Sequence, residues 1–251
     1  MEGSKTLTKA LLKWYLDSGV EFNLSKIKKR EVKQNILSNS IIEVSNESDT
    51  VKLKKPNSFL ENCNSLESLH QAVLNFSGCA LKRTAKNTVF SDGNPNSKIM
   101  LLGESPGEEE DKEGVPFLGE AGLLLDKMLN AIGQNRKNTY LSNIIFWRPP
   151  GNRKPTEEEV SICMPFVQKH IELVKPKILV LVGAIAAKAI YGIETGITQV
   201  RGNWKTIKLD SGLEVNSIAI FHPAFLLRQP ARKKEAWEDL KKIKIAINKN
   251  T

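Results

Sequence analysis

The 251-residue chain has no run of eighteen apolar residues, so no stretch of it reads as a membrane-spanning helix. Its opening, MEGSKTLTKALLKWYLDSGV, lacks the apolar core and small-residue cleavage site of a secretory leader. Cysteine is scarce: Cys63, Cys79 and Cys163 are too few for a disulfide framework, and a reducing, cytoplasmic location is expected. Acid is short relative to base, 28 residues against 37, and the net charge of +9 favours a polyanionic partner, nucleic acid first. Apolar residues are not short: at 40% they suffice for one proper core. The length allows one α/β domain of about 190 residues with an extension.

The stretch LLGESPGEEEDKEGVPFLGEAGLLLDKM, residues 101–128, organises the chain. An apolar run over Ile99 to Leu102 stops at Gly103, and the acid Glu104 follows at once. Ser105, Pro106 and Gly107 make a turn by composition. Four acids, Glu108 to Asp111, lead to a second turn with Gly114, Pro116, Phe117 and Gly119, before a helix over Glu120 to Ile132 stopped by Gly133. Strand, glycine-proline loop, aromatic, helix is the way an open α/β sheet presents a site at the carboxyl end of a strand.

Upstream, Leu7 to Tyr15 has helical spacing and either packs on the main domain or docks a protein partner. Glu21 to Pro56 is polar and rich in Asn, Ser and Lys, with a basic cluster over Lys26 to Lys33, and reads as a linker. Residues 1–60 therefore form a helix and basic linker, and residues 61–251 the compact domain. Ser65 is placed to cap a helix ending near Phe76 with Leu66, Leu69 and Val73 on one face. Cys79 to Thr84 reads as loop, and Lys98 to Leu102 as the first buried strand.

Thr139 to Ile145 reads as a second strand. It runs into the rigid loop Phe146-Trp147-Arg148-Pro149-Pro150-Gly151-Asn152-Arg153, and Asn143 lies inside it among apolar neighbours. A buried asparagine must find hydrogen-bond partners, and its amide is donor and acceptor at once. Thr156 opens a helix to Val174, with Glu157 to Glu159 complementing its dipole. Lys177 to Val182 is a third strand, apolar enough to be buried on both faces. A helix from Gly183 through Tyr191 follows. Gln199 to Leu209 and Glu214 to Phe221 read as a strand pair around Asp210-Ser211-Gly212. The second ends on FHPAFLLR, which puts His222 at another strand end. A basic helix from Lys233, with Trp237, Leu240, Ile243 and Ile247 on its apolar face, closes the chain. His70 and His170 fall on predicted helices and are expected to be structural.

Three strand ends thus carry Glu104, Asn143 and His222, and the carboxyl ends of one parallel sheet share an edge. An acid, an amide and an imidazole are expected in one crevice, with Phe117 as a stacking face.

These residues resemble a known family. GESPGEEEDKEGVPFLGEAG is similar to the first motif of the family 4 uracil-DNA glycosylases, FHPAFLLR to their second, and SNIIFWRPPGNRKP to the segment between. The resemblance runs from about Phe76 to Ile245, roughly two thirds of the chain. It implies a three-layer α/β/α sandwich around a four-stranded, mostly parallel sheet. It implies excision of uracil from single- or double-stranded DNA by hydrolysis of the N-glycosidic bond, in a monomer. By position, Glu104 would hold or polarise the attacking water, Phe117 would stack on the flipped base, Asn143 would bond the uracil edge, and His222 would stabilise charge on uracil O2. Gly103, Ser105, Pro106 and Gly107 would lie against the substrate. Pro223, Leu226, Leu227 and Arg228 would belong to a loop pressing into the DNA.

One departure stands out. Family 4 enzymes typically hold a [4Fe-4S] cluster on four cysteines. Here Cys79 and Cys163 match the second and fourth, while Phe76 and Trp147 stand at the first and third. Two thiolates do not make a cluster site, so no metal or other cofactor is expected, with the two aromatic rings filling the space. Two rival readings remain: a DNA- or polymerase-binding relative that no longer cuts, and a glycosylase for another deaminated base such as hypoxanthine.

Overall fold

The computed structural model describes residue 60 and residues 62–249. The helix expected over Leu7 to Tyr15 and the basic linker lie outside these residues.

The strands form one sheet because their sequences offer apolar side chains to both faces. Strands β1 (Asp92–Gly93), β2 (Ile99–Gly103), β3 (Tyr140–Asn143), β4 (Ile178–Val182), β5 (Trp204–Lys208) and β6 (Glu214–Ile220) stand in the order β1-β3-β2-β4-β6-β5. The central four, β3-β2-β4-β6, are mutually parallel. The two edge strands run antiparallel to their neighbours. The four-stranded, mostly parallel sheet that the resemblance implies corresponds to the parallel core of a six-stranded mixed one. Strand β1 is too short to show a period, and β5 is the outer half of the expected hairpin. That half begins only at Trp204, because Ile197–Val200 turns as helix.

Alternation along the strands builds two cores. Met100, Leu102, Leu179 and Leu181 face one side, while Ile99, Leu101, Ile178, Val180 and Val182 face the other. The first face is covered by helices α1 (Leu66–Asn75) and α4 (Glu157–Val174), through residues such as Leu69, Val73, Phe166 and Ile171. The second is covered by α3 (Gly119–Ala131) and by the last helix, α8 (Lys233–Lys249), through Leu125, Met128, Trp237 and Leu240. Burying each such side chain contributes about 1.5–3 kcal/mol. The result is the expected three-layer sandwich. The connection leaving β2 crosses one face and that leaving β3 crosses the other, so the carboxyl ends of these strands border an open crevice.

Local capping fixes the elements near that crevice. Ser65 caps α1 through the Ser68 N–H at 3.1 Å. Thr156 and Glu159 bond reciprocally at the start of α4, at 3.2 and 2.8 Å, an arrangement worth about 1 kcal/mol. The α4 helix continues through Pro165, as expected, because Cys163, Phe166 and Val167 bury it on both sides of the proline. His170 is fully buried on α4 and bonds the Tyr140 hydroxyl at 2.8 Å, with Phe90 sandwiched between its ring and that of His70. Burial, with His70 nearby, pushes the His170 pKa down to about 3, as suits a structural imidazole.

Some stretches read as loop form short helices or helical turns. Glu108–Glu113 forms a short helix, α2, because four acids favour a helix N-terminus and Glu110 reaches back to the Gly107 N–H at 2.9 Å. Pro223–Arg228 forms α7, with a proline in its first turn and His222 as its cap. Ala80–Arg83 is a single tight turn. Between β4 and the hairpin, Ala184–Tyr191 forms α5 and Ile197–Val200 forms α6.

Candidate active site at the carboxyl ends of the parallel strands

A cleft of about 450 Å³ opens at the carboxyl edge of the sheet. Glu104 enters it from the end of β2, Asn143 from the end of β3, His222 from the end of β6, and Phe117 from the loop before α3. The register pairs Gly103 with Asn143, which sets the Asn143 amide against Gly103, and both Asn143 and Glu104 line the cleft. Gly103 allows this closeness: a Cβ there would lie 2.3 Å from Asn143 Oδ1 and 2.5 Å from Phe117 Cζ.

Asn143 is only 3% exposed, and among the described residues no group hydrogen-bonds its side-chain amide. A buried amide with its capacity unmet and its face on a cleft is built for a complementary edge. The Phe117 ring lies 6.4 Å from the His222 ring at 26°. Its residue holds a left-handed backbone, φ 55°, a conformation costing a phenylalanine roughly 1–3 kcal/mol.

His222 has its tautomer set by the fold. Its Nδ1 accepts the Ala224 N–H at 3.2 Å as the cap of α7. The ring proton therefore sits on Nε2, which is left to donate. Burial, helped by Arg228, pushes its pKa down to about 4, so the ring is neutral at ordinary pH. Glu104 is shifted the other way: burial raises its pKa, opposed by Lys154 and Arg228. A stacking face, a two-way amide, a neutral donor and a partly desolvated carboxylate can grip a planar heterocycle with an amide-like edge and activate a water beside it.

The uracil DNA glycosylase superfamily profile matches residues 90–241. The chain belongs to the uracil-DNA glycosylase superfamily. It is 38% identical to a type-4 uracil-DNA glycosylase of Archaeoglobus fulgidus over 184 residues, 71% of this chain and 92% of that one. It is 38% identical to the type-4 enzyme of Thermotoga maritima over 187 residues, 73% and 95% of the two chains. A type-5 uracil-DNA glycosylase of Pyrobaculum aerophilum is 26% identical over 147 residues, 53% and 63% of the chains.

Within this glycosylase fold, Glu104, Ser105, Pro106, Gly107, Phe117, Asn143, His222 and Arg228 all line the cleft, and Gly103 lies beneath it. Segment 223–228 is a helix where a loop was expected. Leu226 is fully buried in the core and Pro223 is buried at the helix start, so neither side chain stands at the surface. Because the segment is a helix and not a loop, it turns Leu226 inward and leaves Leu227, 40% exposed, and Arg228 outward. Sequence reasoning did not single out Glu110, Ala121, Asn152, Lys154, Ala224 or Phe225 as cleft residues. Asn152 stands in the rigid loop after β3 and Lys154 directly follows it, and that was their signal. The loop is held there by Arg153, bonded to Glu159 at 2.6 and 2.9 Å, and by Arg148, bonded to Asn152 at 2.7 Å and Glu108 at 3.3 Å.

The four positions that the resemblance sets against iron–sulfur ligands are all buried. Cys79 and Cys163 are both buried, and their mutual interaction lowers the Cys79 pKa and, with burial, raises that of Cys163. The Phe76 ring lies 6.5 Å from Trp147 and 4.9 Å from Phe166. Trp147 donates from Nε1 to Thr88 at 2.9 Å. Cys63 instead points at the Ser68 carbonyl, 3.7 Å away. Among the described residues no three His, Cys, Asp or Glu side chains group to hold a metal. Two thiols and two aromatic rings do not fit a four-thiolate cluster.

Proposed function

We infer that this protein is a uracil-DNA glycosylase, a hydrolase that flips uracil out of DNA and cleaves its N-glycosidic bond. The observation that carries the reading is the convergence of Glu104, Phe117, Asn143 and His222 on one cleft. Flipping a base costs a few kcal/mol, in the range that stacking on Phe117 and edge bonds to Asn143 offset. As the bond breaks, negative charge gathers on the uracil carbonyl facing His222. A neutral Nε2–H placed there is worth about 2.7–4 kcal/mol by comparison with other oxyanion donors. Glu104, ionised above its raised pKa, orients the water that takes the sugar carbon. The test uses oligonucleotides with one uracil, single- and double-stranded, followed by alkali. Strand breaks at uracil are expected, and intact strands with both substrates would overturn the reading.

The enzyme is further proposed to work without iron, as a cytoplasmic monomer. The rings of Phe76, Trp147 and Phe166 supply by apolar packing the support a cluster gives elsewhere. Purified protein is expected to be colourless. Iron and acid-labile sulfide at about four per chain would show the opposite. The N-terminal segment, residues 7–15, is proposed to dock a protein partner.

Arg228 and Lys154 both line the cleft and both favour the charged form of Glu104. Arg228 is proposed to contact a phosphate beside the flipped nucleotide. Arg228→Ala is expected to weaken binding to any DNA sequence alike and to reduce the salt slope by about one. An unchanged slope, read by titration at several salt concentrations, would remove Arg228 from the interface.

A further inference from the structure

Phe117 cannot hold its place by itself. A phenylalanine in the left-handed region relaxes to ordinary backbone unless its surroundings prevent it. One residue makes room for the strained carbonyl here and another holds it. Gly122 on α3 lies directly against the Phe117 carbonyl: a Cβ there would come within 1.9 Å of that oxygen. The same carbonyl is held by Arg136, from the turn after α3, and all three of its nitrogens are engaged. Nη2 donates to the Phe117 carbonyl and Nη1 to the Pro116 carbonyl at 3.1 Å. The back of the fork is fixed by Asp92 at 2.6 Å from Nη1 and by Asp126 at 3.0 Å from Nε. The side chain is 25% exposed and is not among the residues that line the cleft.

We propose that Arg136 is a positioning residue for base capture: anchored on Asp92 and Asp126, it holds the carbonyls of Pro116 and Phe117 so that the Phe117 ring stands as a preformed stacking face. It touches neither base nor water and acts through Phe117. A planar fork with several fixed donors bonds two successive carbonyls and two carboxylates together; lysine presents a point charge that does not reproduce this geometry. The inference rests on the glycosylase reading, but its structural half does not.

Two measurements separate the halves. Amide hydrogen exchange on the full chain without DNA reports whether the clamp exists. In Arg136→Gln, exchange over residues 114–122 is expected to quicken while the sheet strands stay protected. Asp126→Asn, which slackens the fork without touching Phe117, is expected to do the same more weakly, and serves if the first variant folds poorly. Unchanged exchange in both variants would overturn the clamp, whatever the activity. Single-turnover excision on a uracil oligonucleotide then reports whether the clamp serves capture. Arg136→Gln is expected to raise the half-saturating concentration about tenfold, within the range of one lost stacking contact, with little change in the saturated rate. Arg136→Lys is not expected to rescue it. The Phe117→Ala, Arg136→Gln double variant is expected to match Phe117→Ala within about twofold, because one residue acts through the other. Multiplying losses in the double variant would overturn the role in capture, since a general loss of structure adds to any other defect. Wild-type protein that excises no uracil would sink both the glycosylase reading and the capture role, and would leave the clamp to the exchange result.

Discussion

His222→Ala is expected to lower the single-turnover excision rate about a hundredfold or more, while affinity for uracil-containing DNA barely changes. The reason is where the charge appears. In the ground state the uracil carbonyl is a neutral acceptor, and losing one donor weakens it little. In the transition state that oxygen carries the developing anion, and the Nε2–H is in place because the Ala224 N–H has claimed Nδ1. The same bond makes His222 the cap of α7, so alanine also removes a cap worth about 0.5–2 kcal/mol of stability. His222→Ser separates the effects: serine caps well but is too short to donate where Nε2 stood, and is expected to restore thermal stability without restoring the rate. A rate recovered along with stability would reduce His222 to a structural role. The pH profile adds a second check. With its pKa pushed down to about 4, His222 stays neutral and contributes no titration from pH 5 to 8. The acid limb belongs to Glu104, whose pKa burial raises above the ordinary 4.5: activity is present above that raised pKa and lost as pH falls through it. That limb is expected to persist in the residual activity of His222→Ala.

Glu104 and His222 were legible because two of the buried parallel strands end in apolar stretches that stop on a titratable side chain. Glu104 follows Ile99 to Gly103, and His222 follows Ile218 to Phe221, so their meeting at one edge follows from parallel topology alone. The helix Glu108–Glu113 was not legible, because four successive acids carry no apolar period and its stability comes from the dipole and from Glu110 reaching back to Gly107. The inward turn of Leu226 was hidden for a related reason: in six residues a helix and a loop look alike, and only the helix dictates which leucine faces the core. Arg136 could not be found at all from local pattern. Its partners Asp92, Asp126 and Phe117 are up to 44 residues away, and nothing near Arg136 marks it as different from the other basic residues.

Asn143→Asp is expected to lose more than either ring substitution, because it damages both recognition and chemistry. The wild-type amide is 3% exposed and unpaired within the described protein, so its donor and acceptor are both available to a base edge. An aspartate keeps the shape but, when ionised, offers no donor to a carbonyl and sets a negative charge in the cleft that Glu104 also lines and against the anion forming on uracil. A site built to bond a polar group discriminates by up to about 10⁴–10⁵ when that bond cannot form. A loss of about a thousandfold or more in kcat/KM is therefore expected, shared between weaker binding of uracil-containing DNA and slower excision. Burial and the Glu104 carboxylate in the same cleft both raise the pKa of the new acid, and its protonated form regains a donor. Whatever activity remains is thus expected to peak at lower pH than in the wild type, where acid only removes the Glu104 charge. Measuring kcat/KM across pH on a uracil oligonucleotide decides the matter. An Asn143→Asp variant within about tenfold of wild type, with an unshifted optimum, would mean that Asn143 does not read the base, and that the fit of its amide to a uracil edge is incidental.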